Sequence, residues 1–235
     1  MAADASPGIV AQPADPAPAE GSSTKGSSDG GEAPRRHGPA LLAASPWGPT
    51  RNIRTDPPVA AHMKTLTLAA GCFWCLEAVY SMTRGVESVV SGYTGGHTPQ
   101  PDYYSVCSGT TGHAEAMQVT FDPEVIPEDV ILGIFFTTHD PTSLNRQGND
   151  VGTQYRSAMF YRDEQEKEYF AAQIEKWQEL FSRPIVTTLE PLGEFFPAEP
   201  VHQQFYDNNP GNGYCTFIID PKVAKARRQW AEWVA

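Results

Sequence analysis

The chain has 235 residues with 28 acidic and 17 basic side chains, which gives a net charge of −11 at pH 7. An acidic protein is repelled by a polyanion, so this balance excludes a typical nucleic-acid binder. Hydrophobic residues make up 40% of the chain, enough for a sizeable core. No run of about 18 apolar residues occurs, so we expect no membrane-spanning helix and no membrane partner.

Residues 1–62 differ in composition from the rest of the chain. They hold 10 of the 21 prolines and 7 of the 20 glycines, and few large apolar residues. Such a segment buries too little surface to offset its ordering entropy, so we expect a disordered N-terminal tail rather than a targeting signal. The sequence leaves open whether this tail is natural or whether Met63 is the true initiator. Residues 63–235 have the length of one domain.

Strand and helix patterns alternate along residues 63–235. Strands are predicted at 64–68, 86–91, 117–121, 156–161 and 185–189, and helices at 72–80, 127–138, 163–182 and 221–234. In the third strand, Met117, Val119 and Phe121 are expected on one face. Two long irregular stretches, 92–112 and 139–155, carry most of the polar residues. This alternation indicates a mixed sheet with helices packed against it.

Cys72 and Cys75 form a CxxC motif where the first strand meets the first helix. A thiolate at a helix start is stabilised by free N–H groups and the helix dipole. The same spacing occurs in thioredoxin-like enzymes and in half of a zinc site. Cys107 and Cys215 have no neighbouring Cys or His to complete such a zinc site. Four cysteines are too few for a disulfide scaffold, so we expect a cytoplasmic protein.

Several short polar motifs occur in the irregular stretches, and each alone is compatible with ordinary turns. Taken in order, they make the chain resemble the A-type peptide methionine sulfoxide reductases over residues 63–235. The motifs that carry this resemblance are Gly71-Cys-Phe-Trp74, Tyr103-Tyr104-Ser-Val-Cys107, Gly112-His-Ala-Glu115, Gly148-Asn-Asp150, Gly152-Thr-Gln-Tyr155 and Gly213-Tyr-Cys215.

The resemblance implies an α/β (α+β) fold, a two-layer sandwich with a ferredoxin-like core, a mixed sheet and long coil segments. It implies a thioredoxin-dependent reductase that repairs methionine S-sulfoxide after oxidative stress. The expected substrates are oxidised proteins, peptides and free methionine sulfoxide. No dinucleotide fingerprint or phosphate loop occurs, so no bound cofactor is expected and thioredoxin would be the reductant. We expect a monomer.

The resemblance also implies roles for the residues around the reacting sulfur. Cys72 would attack the sulfoxide sulfur and become a sulfenic acid. Glu115 would protonate the departing oxygen, which requires burial to raise the pKa of this carboxyl group. Tyr103 and Tyr155 would donate hydrogen bonds to that oxygen. Asp150 would lie near the nucleophile.

Two further roles follow from the resemblance. Phe73 and Trp74 would form an apolar pocket for the methyl group of the substrate. Cys215 is the preferred resolving thiol, because it matches the usual position in the family. Cys75 stays open as an alternative resolver or as a relay, since some family members use a cysteine there. Cys107 is interpreted as structural.

Two competing functions predict different sets of essential residues. A thioredoxin-like disulfide oxidoreductase would use Cys72 and Cys75 alone, and Glu115 and Tyr155 would be dispensable. A non-catalytic methionine-binding or zinc-stabilised module would keep the aromatic pocket without a reactive thiolate.

Overall fold

A computed structural model describes residues 62–235 of the chain. The predicted disordered tail, residues 1–62, therefore lies outside the described residues except for His62. Within the described residues, no helix combines the length and apolar character needed to cross a bilayer.

The main sheet has six strands in the order β7-β6-β1-β3-β2-β8, and β4 and β5 form a separate two-stranded hairpin. All neighbouring strands of the main sheet are antiparallel except β6 and β7, which are parallel. The strands are β1 Lys64–Ala70, β2 Val86–Thr94, β3 Ala114–Phe121, β4 Arg146–Gln147, β5 Asp150–Val151, β6 Ser157–Tyr161, β7 Thr188–Pro191 and β8 Phe196–Pro197.

The helices are distributed between the strands and over the C-terminal part. They are α1 Phe73–Ser81, α2 Tyr103–Cys107, α3 Glu128–Thr138, α4 Glu164–Gln178, α5 Phe205–Asn208 and α6 Asp220–Gln229. Single turns of 3-10 helix cover Thr153–Tyr155 and Pro200–His202, and Cys215–Ile219 is a π-helix that leads into α6.

The main core lies between one face of the sheet and the helices. Met117, Val119 and Phe121 of β3 are fully buried in this core, as the alternation predicts. The neighbouring residues Ala114 and Ala116 point to the other face and belong to a small second cluster. The predicted mixed sheet with helices against it is confirmed, and long coil segments connect its elements.

Irregular structure was over-predicted in residues 92–112. β2 continues to Thr94, and α2 forms where only a loop was expected. Asp102 caps α2, since its side chain accepts a hydrogen bond of 2.8 Å from the N–H of Ser105, whose hydroxyl bonds back to Asp102. This reciprocal pair satisfies N–H groups at the start of a short helix.

Two helices are shorter than predicted, and one strand begins later. α4 ends at Gln178, whose side-chain amide donates to the carbonyls of Phe181 and Arg183 and turns the chain. Side-chain bonds of this kind compete with continued helix. α6 ends at Gln229, because Val234 pairs with Thr83 in a β-bridge.

The strand predicted at 185–189 begins three residues later. The N–H of Ile185 donates to the side chain of Gln178 at 2.7 Å, and the N–H of Val186 donates to the carbonyl of Pro141 at 2.8 Å. These two residues therefore bond to the end of α4 and to the loop at Pro141, and pairing with β6 starts at Thr188.

Candidate active site

Gly71 turns the chain from the end of β1 into α1. Its φ of +86° belongs to the left-handed region, and a Cβ here would lie 2.5 Å from the Cβ of Gln147. Only glycine meets both conditions without strain. Cys72 follows as the N-cap of α1, the helix-start position that the sequence predicts.

The carboxyl group of Glu115 lies beside the start of this helix. Glu115 is 1% exposed, and Phe73 donates a backbone hydrogen bond of 3.0 Å to its Oε2 atom. Burial raises the pKa of Glu115 to about 8, against the effect of that bond, and the nearby Asp150 and Cys75 act in the same direction as burial. The group is therefore mainly protonated at neutral pH, which is the state that a proton donor requires.

Cys72 and Cys75 are buried and joined by a side-chain hydrogen bond. Burial raises the pKa of Cys72 well above its ordinary value, and Cys75 adds to this. The hydrogen bond from Cys72 lowers the pKa of Cys75 to about 6, and Lys222 acts in the same direction against burial. The two thiols therefore titrate as a pair rather than as independent groups.

Asp150 reaches the same site through Tyr214. The Tyr214 hydroxyl donates a hydrogen bond of 3.1 Å to Oδ2 of Asp150, and it also hydrogen-bonds to Cys72. Burial raises the pKa of Asp150, although Tyr214 and Lys222 oppose this. Tyr214 had no role in our sequence analysis, although it lies within the Gly213-Tyr-Cys215 motif.

The phenols of Tyr103 and Tyr155 both hydrogen-bond to the thiol of Cys107. Burial raises the pKa of each phenol, and the nearby Glu115 adds to the effect, so both remain donors. Burial also raises the pKa of Cys107 to about 11, which makes a reactive thiolate there unfavourable. The backbone of Tyr103 is held by Glu199, whose Oε1 accepts its N–H at 2.9 Å.

Aromatic rings line the side of the site around Trp74. The Trp74 ring stacks on Phe205 with centroids 3.7 Å apart, and Tyr214 contacts it edge-on at 5.7 Å. Tyr103 stacks on His202 at 4.3 Å and on Trp74 at 6.0 Å. Sequence reasoning missed Phe205 and His202, which lie between the last predicted strand and the last predicted helix.

The second predicted pocket residue, Phe73, is fully buried. Its ring contacts Trp74 at 6.0 Å and Tyr93 at 5.8 Å, both in tilted geometry. Phe73 therefore packs on the core side of these rings. We call the rings of Trp74, Tyr103, His202, Phe205 and Tyr214 the aromatic wall.

Glu77 connects α1 to the segment that carries Phe205. Its carboxylate is 1% exposed and accepts the N–H groups of Gln204 at 2.9 Å and Phe205 at 3.1 Å, together with the hydroxyl of Ser91 at 3.1 Å. Sequence reasoning also missed this anchor. Its partners lie far away along the chain, and no local pattern marks it.

Cys215 begins the π-helix and is buried. Burial raises its pKa, and Asp220 and the charge of Cys75 add to this. Cys215 also borders a cleft of about 320 Å³ that is formed with residues such as Tyr206 and Gly211. The residues from Cys215 to Ile219 thus form a helical turn. All four cysteines of the chain are free thiols.

The fold brings the predicted site residues together. Cys72 interacts electrostatically with Glu115, Tyr103 and Tyr155, and Asp150 interacts with Glu115. Within residues 62–235, no three His, Cys, Asp or Glu side chains are placed to hold a metal ion. A buried thiol pair beside a neutral carboxylic acid and two phenols is the arrangement of a thiol-based reductase, which needs both electrons and a proton donor.

Residues 64–234 match the sequence profile of the family described as peptide methionine sulfoxide reductase. The peptide methionine sulfoxide reductase MsrA of Paenarthrobacter aurescens is 62% identical over 172 residues, which cover 73% of this chain and 99% of that protein. The enzyme of the same name from Deinococcus radiodurans is 53% identical over 183 residues, covering 77% of this chain and 88% of that protein.

Solved structures show the same likeness. Mxr1 from Saccharomyces cerevisiae in reduced form aligns with a TM-score of 0.63 and 37% identity, over 66% of this chain and 91% of that chain. Methionine sulfoxide reductase A of Corynebacterium diphtheriae aligns with a TM-score of 0.59 and 34% identity, over 67% and 79% of the two chains. The chain belongs to the peptide methionine sulfoxide reductase family and is an oxidoreductase of that class.

Proposed function

We propose that residues 63–235 form a catalytic domain that reduces the S epimer of methionine sulfoxide, free or within oxidised peptides and proteins. The observation that carries this proposal is the buried Glu115 carboxyl group, held protonated beside the Cys72 thiol. Sulfoxide reduction needs a proton for the oxygen and a nucleophile for the sulfur. The site holds both within one buried volume.

In the proposed reaction, Sγ of Cys72 attacks the sulfoxide sulfur and Glu115 gives its proton to the oxygen. The oxygen ends on Cys72 as a sulfenic acid, and the substrate leaves as methionine, so two electrons pass from the thiol to the substrate. Tyr103 and Tyr155 donate hydrogen bonds to the oxygen as negative charge develops on it. Their raised pKa values keep these donors protonated.

The aromatic wall provides the binding site for the rest of the sulfoxide group. The S-methyl group packs against Trp74 and Phe73, because sulfur and methyl groups contact aromatic rings favourably. Tyr214 hydrogen-bonds to Cys72 and to Asp150, and this pair orients the bound substrate. Epimer choice follows from the separate places for the methyl group and the oxygen, since exchanging the two would place the oxygen against apolar rings.

Turnover then requires a second thiol. The contact between Cys72 and Cys75 favours a first disulfide between these two, with loss of the sulfenic oxygen as water. Cys215 interacts electrostatically with Cys75 and borders an open cleft, so it is suited to receive the disulfide and present it to an external thiol. Cys215 thus remains the preferred terminal resolving thiol, with Cys75 as the relay.

The reductant proposed for this disulfide is thioredoxin, acting by thiol–disulfide exchange, and no bound cofactor is required. The four free thiols fit a reducing cytoplasm. We propose a monomer as the working unit.

The test is single-turnover reduction of a racemic methionine sulfoxide peptide by the wild type, Cys72→Ser, Cys75→Ser and Cys215→Ser, without reductant. We expect half of the racemate to be reduced at most, and only Cys72→Ser to abolish methionine formation. Multiple turnovers with thioredoxin should then fail for Cys215→Ser. Methionine formation by Cys72→Ser would overturn the assignment of the nucleophile, and its absence in the wild type would overturn the function.

A further inference from the structure

Glu199 lies between the short strand β8 and the turn of 3-10 helix that carries His202. Its carboxylate binds two tyrosines from different elements of the fold. The Oε1 atom accepts the backbone N–H of Tyr103 at 2.9 Å, and the Oε2 atom accepts the hydroxyl of Tyr93 at 3.0 Å. These two bonds join the first residue of α2 to the end of β2.

The segment that carries Glu199 is itself fixed to the sheet. On one side of Glu199, the N–H of Ala198 donates to the carbonyl of Ser91 in β2 at 2.8 Å. On the other side, the side chain of Gln203 accepts the N–H of Ser91 at 3.0 Å and donates to its carbonyl at 2.8 Å. A residue that positions another group must have a fixed place of its own, and the backbone of Glu199 meets this condition.

Glu199 also acts on the ring of Tyr103, through His202. The N–H of His202 donates to the backbone carbonyl of Glu199 at 2.9 Å, and the His202 ring stacks on the Tyr103 ring with centroids 4.3 Å apart. Glu199 therefore restrains Tyr103 at its backbone directly and at its ring through this stacking. The phenol on that ring is one of the two proposed hydrogen-bond donors to the sulfoxide oxygen.

The second tyrosine connects Glu199 to the proposed acid. Tyr93 is fully buried and lies opposite Glu115 in the antiparallel pair of β2 and β3. Residues opposite each other in such a pair have their side chains on the same face of the sheet. The ring of Tyr93 also contacts the ring of Phe73 at 5.8 Å, and the N–H of Phe73 donates to Glu115. One carboxylate thus connects a phenol donor with the acid that serves the same oxygen.

We propose that Glu199 is a positioning residue of the sulfoxide-reducing site: its carboxylate sets the place of the Tyr103 phenol relative to the Glu115 acid. In this role Glu199 transfers no proton and acts through Tyr103. The hydrogen bond from Tyr103 and the proton from Glu115 must reach one oxygen atom together, and a small displacement of either group weakens that arrangement. This inference rests on the proposed function.

The experiment measures single-turnover methionine formation by the full chain and its variants. Glu199→Ala removes both acceptors, so the rate should fall about 10- to 100-fold, as expected when a catalytic group is misplaced by about 1 Å. Glu199→Gln should restore most of the rate, because its amide oxygen accepts the N–H of Tyr103 and its amide N–H donates to the Tyr93 hydroxyl. Tyr93→Phe loses one of the two bonds, and its rate should lie between those of Glu199→Ala and the wild type.

Glu194→Ala is the matched control on the same segment. Glu194 is exposed, and its backbone carbonyl accepts the hydroxyl of Thr94 at 2.9 Å. This contact does not depend on the side chain, so the control should follow the wild type. Far-ultraviolet circular dichroism at the assay temperature checks that each variant is folded.

A double-mutant comparison separates positioning from a structural role. Tyr103→Phe keeps the donor Tyr155, so methionine formation stays measurable. If Glu199 acts through Tyr103, Glu199→Ala should have no further effect on the rate in the Tyr103→Phe background and its full effect in the Tyr155→Phe background. Tyr93→Phe in the same two backgrounds repeats the comparison with a smaller change.

Two results would overturn the proposal. One is an equal loss of rate in the Tyr103→Phe and Tyr155→Phe backgrounds, and the other is a wild-type rate in Glu199→Ala. The proposed function itself fails in a different way, namely by the absence of methionine from the wild-type reaction.

Discussion

The backbone N–H of Phe73 donates a hydrogen bond of 3.0 Å to the carboxyl group of Glu115, 42 residues further along the chain. This bond joins the residue after the proposed nucleophile to the proposed acid. The bond itself favours the ionised carboxylate, but burial has the larger effect and raises the pKa of Glu115 to about 8. The same contact therefore orients the acid without ionising it.

Glu115→Gln should lower the single-turnover rate about 10²- to 10⁴-fold, the usual contribution of a positioned general acid. The amide oxygen of glutamine can still accept the hydrogen bond from the Phe73 N–H. The fold is therefore kept, while the acidic proton is no longer available. In the wild type, the rate should fall as pH rises through about 8, where Glu115 ionises. An unchanged rate in the variant would favour a disulfide oxidoreductase that uses only the CxxC pair.

Stability should depend on pH through the same carboxyl group. Its pKa in the folded chain is about 8, above its ordinary value of 4.5, so the folded state binds more protons between these two pH values. Stability must then fall as pH rises through this window. Glu115→Gln lacks this loss of stability, so the Tm of the variant minus the Tm of the wild type should increase from pH 5 to pH 8. The same difference in Tm at pH 5 and pH 8 would contradict the effect of burial on the pKa of Glu115.

Gly71→Ala should destabilise the protein by about 2–4 kcal/mol, through the left-handed backbone and the overlap with Gln147. Urea unfolding measures this difference in free energy. The matched control is Gly193→Ala, because nothing lies within 4 Å of a Cβ at that position. The control should stay within about 0.5 kcal/mol of the wild type. Equal losses for the two variants would contradict the close packing at Gly71.

Glu77→Ala should leave the N–H groups of Gln204 and Phe205 without their acceptor, at about 2–4 kcal/mol in total. Phe205 stacks on Trp74, so the intrinsic fluorescence should change and the KM for a sulfoxide peptide should rise more than kcat falls. Ser91→Ala, which removes one donor to the same carboxylate, should cost at most about 1.5 kcal/mol. A KM unchanged in Glu77→Ala would mean that the aromatic wall does not depend on this anchor.

Arg156→Lys should be destabilising and should slow catalysis. The guanidinium group binds both carboxylate oxygens of Glu190 at 2.8 and 2.9 Å and also donates to the carbonyls of Gly112 and Thr153. It thereby holds the loops that lead to the proposed acid and to one phenol. Lysine cannot reproduce this fork, and we expect a loss of about 2–3 kcal/mol.

Arg162→Lys is the control for this substitution, since the Arg162 side chain is about half exposed where it pairs with Glu166. Such pairs contribute little, and the control should change stability by less than about 0.5 kcal/mol. The prediction for Arg156 fails if chemical unfolding gives the same midpoint for both variants.

Local sequence patterns were sufficient to predict the strand–glycine–helix unit around Cys72. The alternation within residues 64–68, the glycine and the helical spacing after it all lie within one short segment. The structure has the same elements and extends the strand to Ala70. The alternation in β3 likewise placed Met117, Val119 and Phe121 on the core face. Both signals depend only on side-chain periodicity.

The parts that could not be predicted depend on contacts between distant segments. Glu77 bonds to N–H groups more than 120 residues away, and Lys222 reaches Cys75 from the last helix. Neither contact leaves a local periodicity or a turn motif. The π-helix at Cys215 was missed for a related reason, because its sequence of apolar residues fits several backbone conformations.

The pairing of the central strands also determines where the chain can tolerate an added residue. Tyr93 lies opposite Glu115, and Leu68 lies opposite Met117. One residue inserted into β3 between Glu115 and Met117 would turn Glu115 to the face occupied by Ala114 and Ala116, away from Cys72. The backbone hydrogen bonds between the strands could still form. Such an insertion would produce a folded but inactive protein. The exposed turn near Glu124, beyond the end of β3, is the place to lengthen the chain without moving the acid.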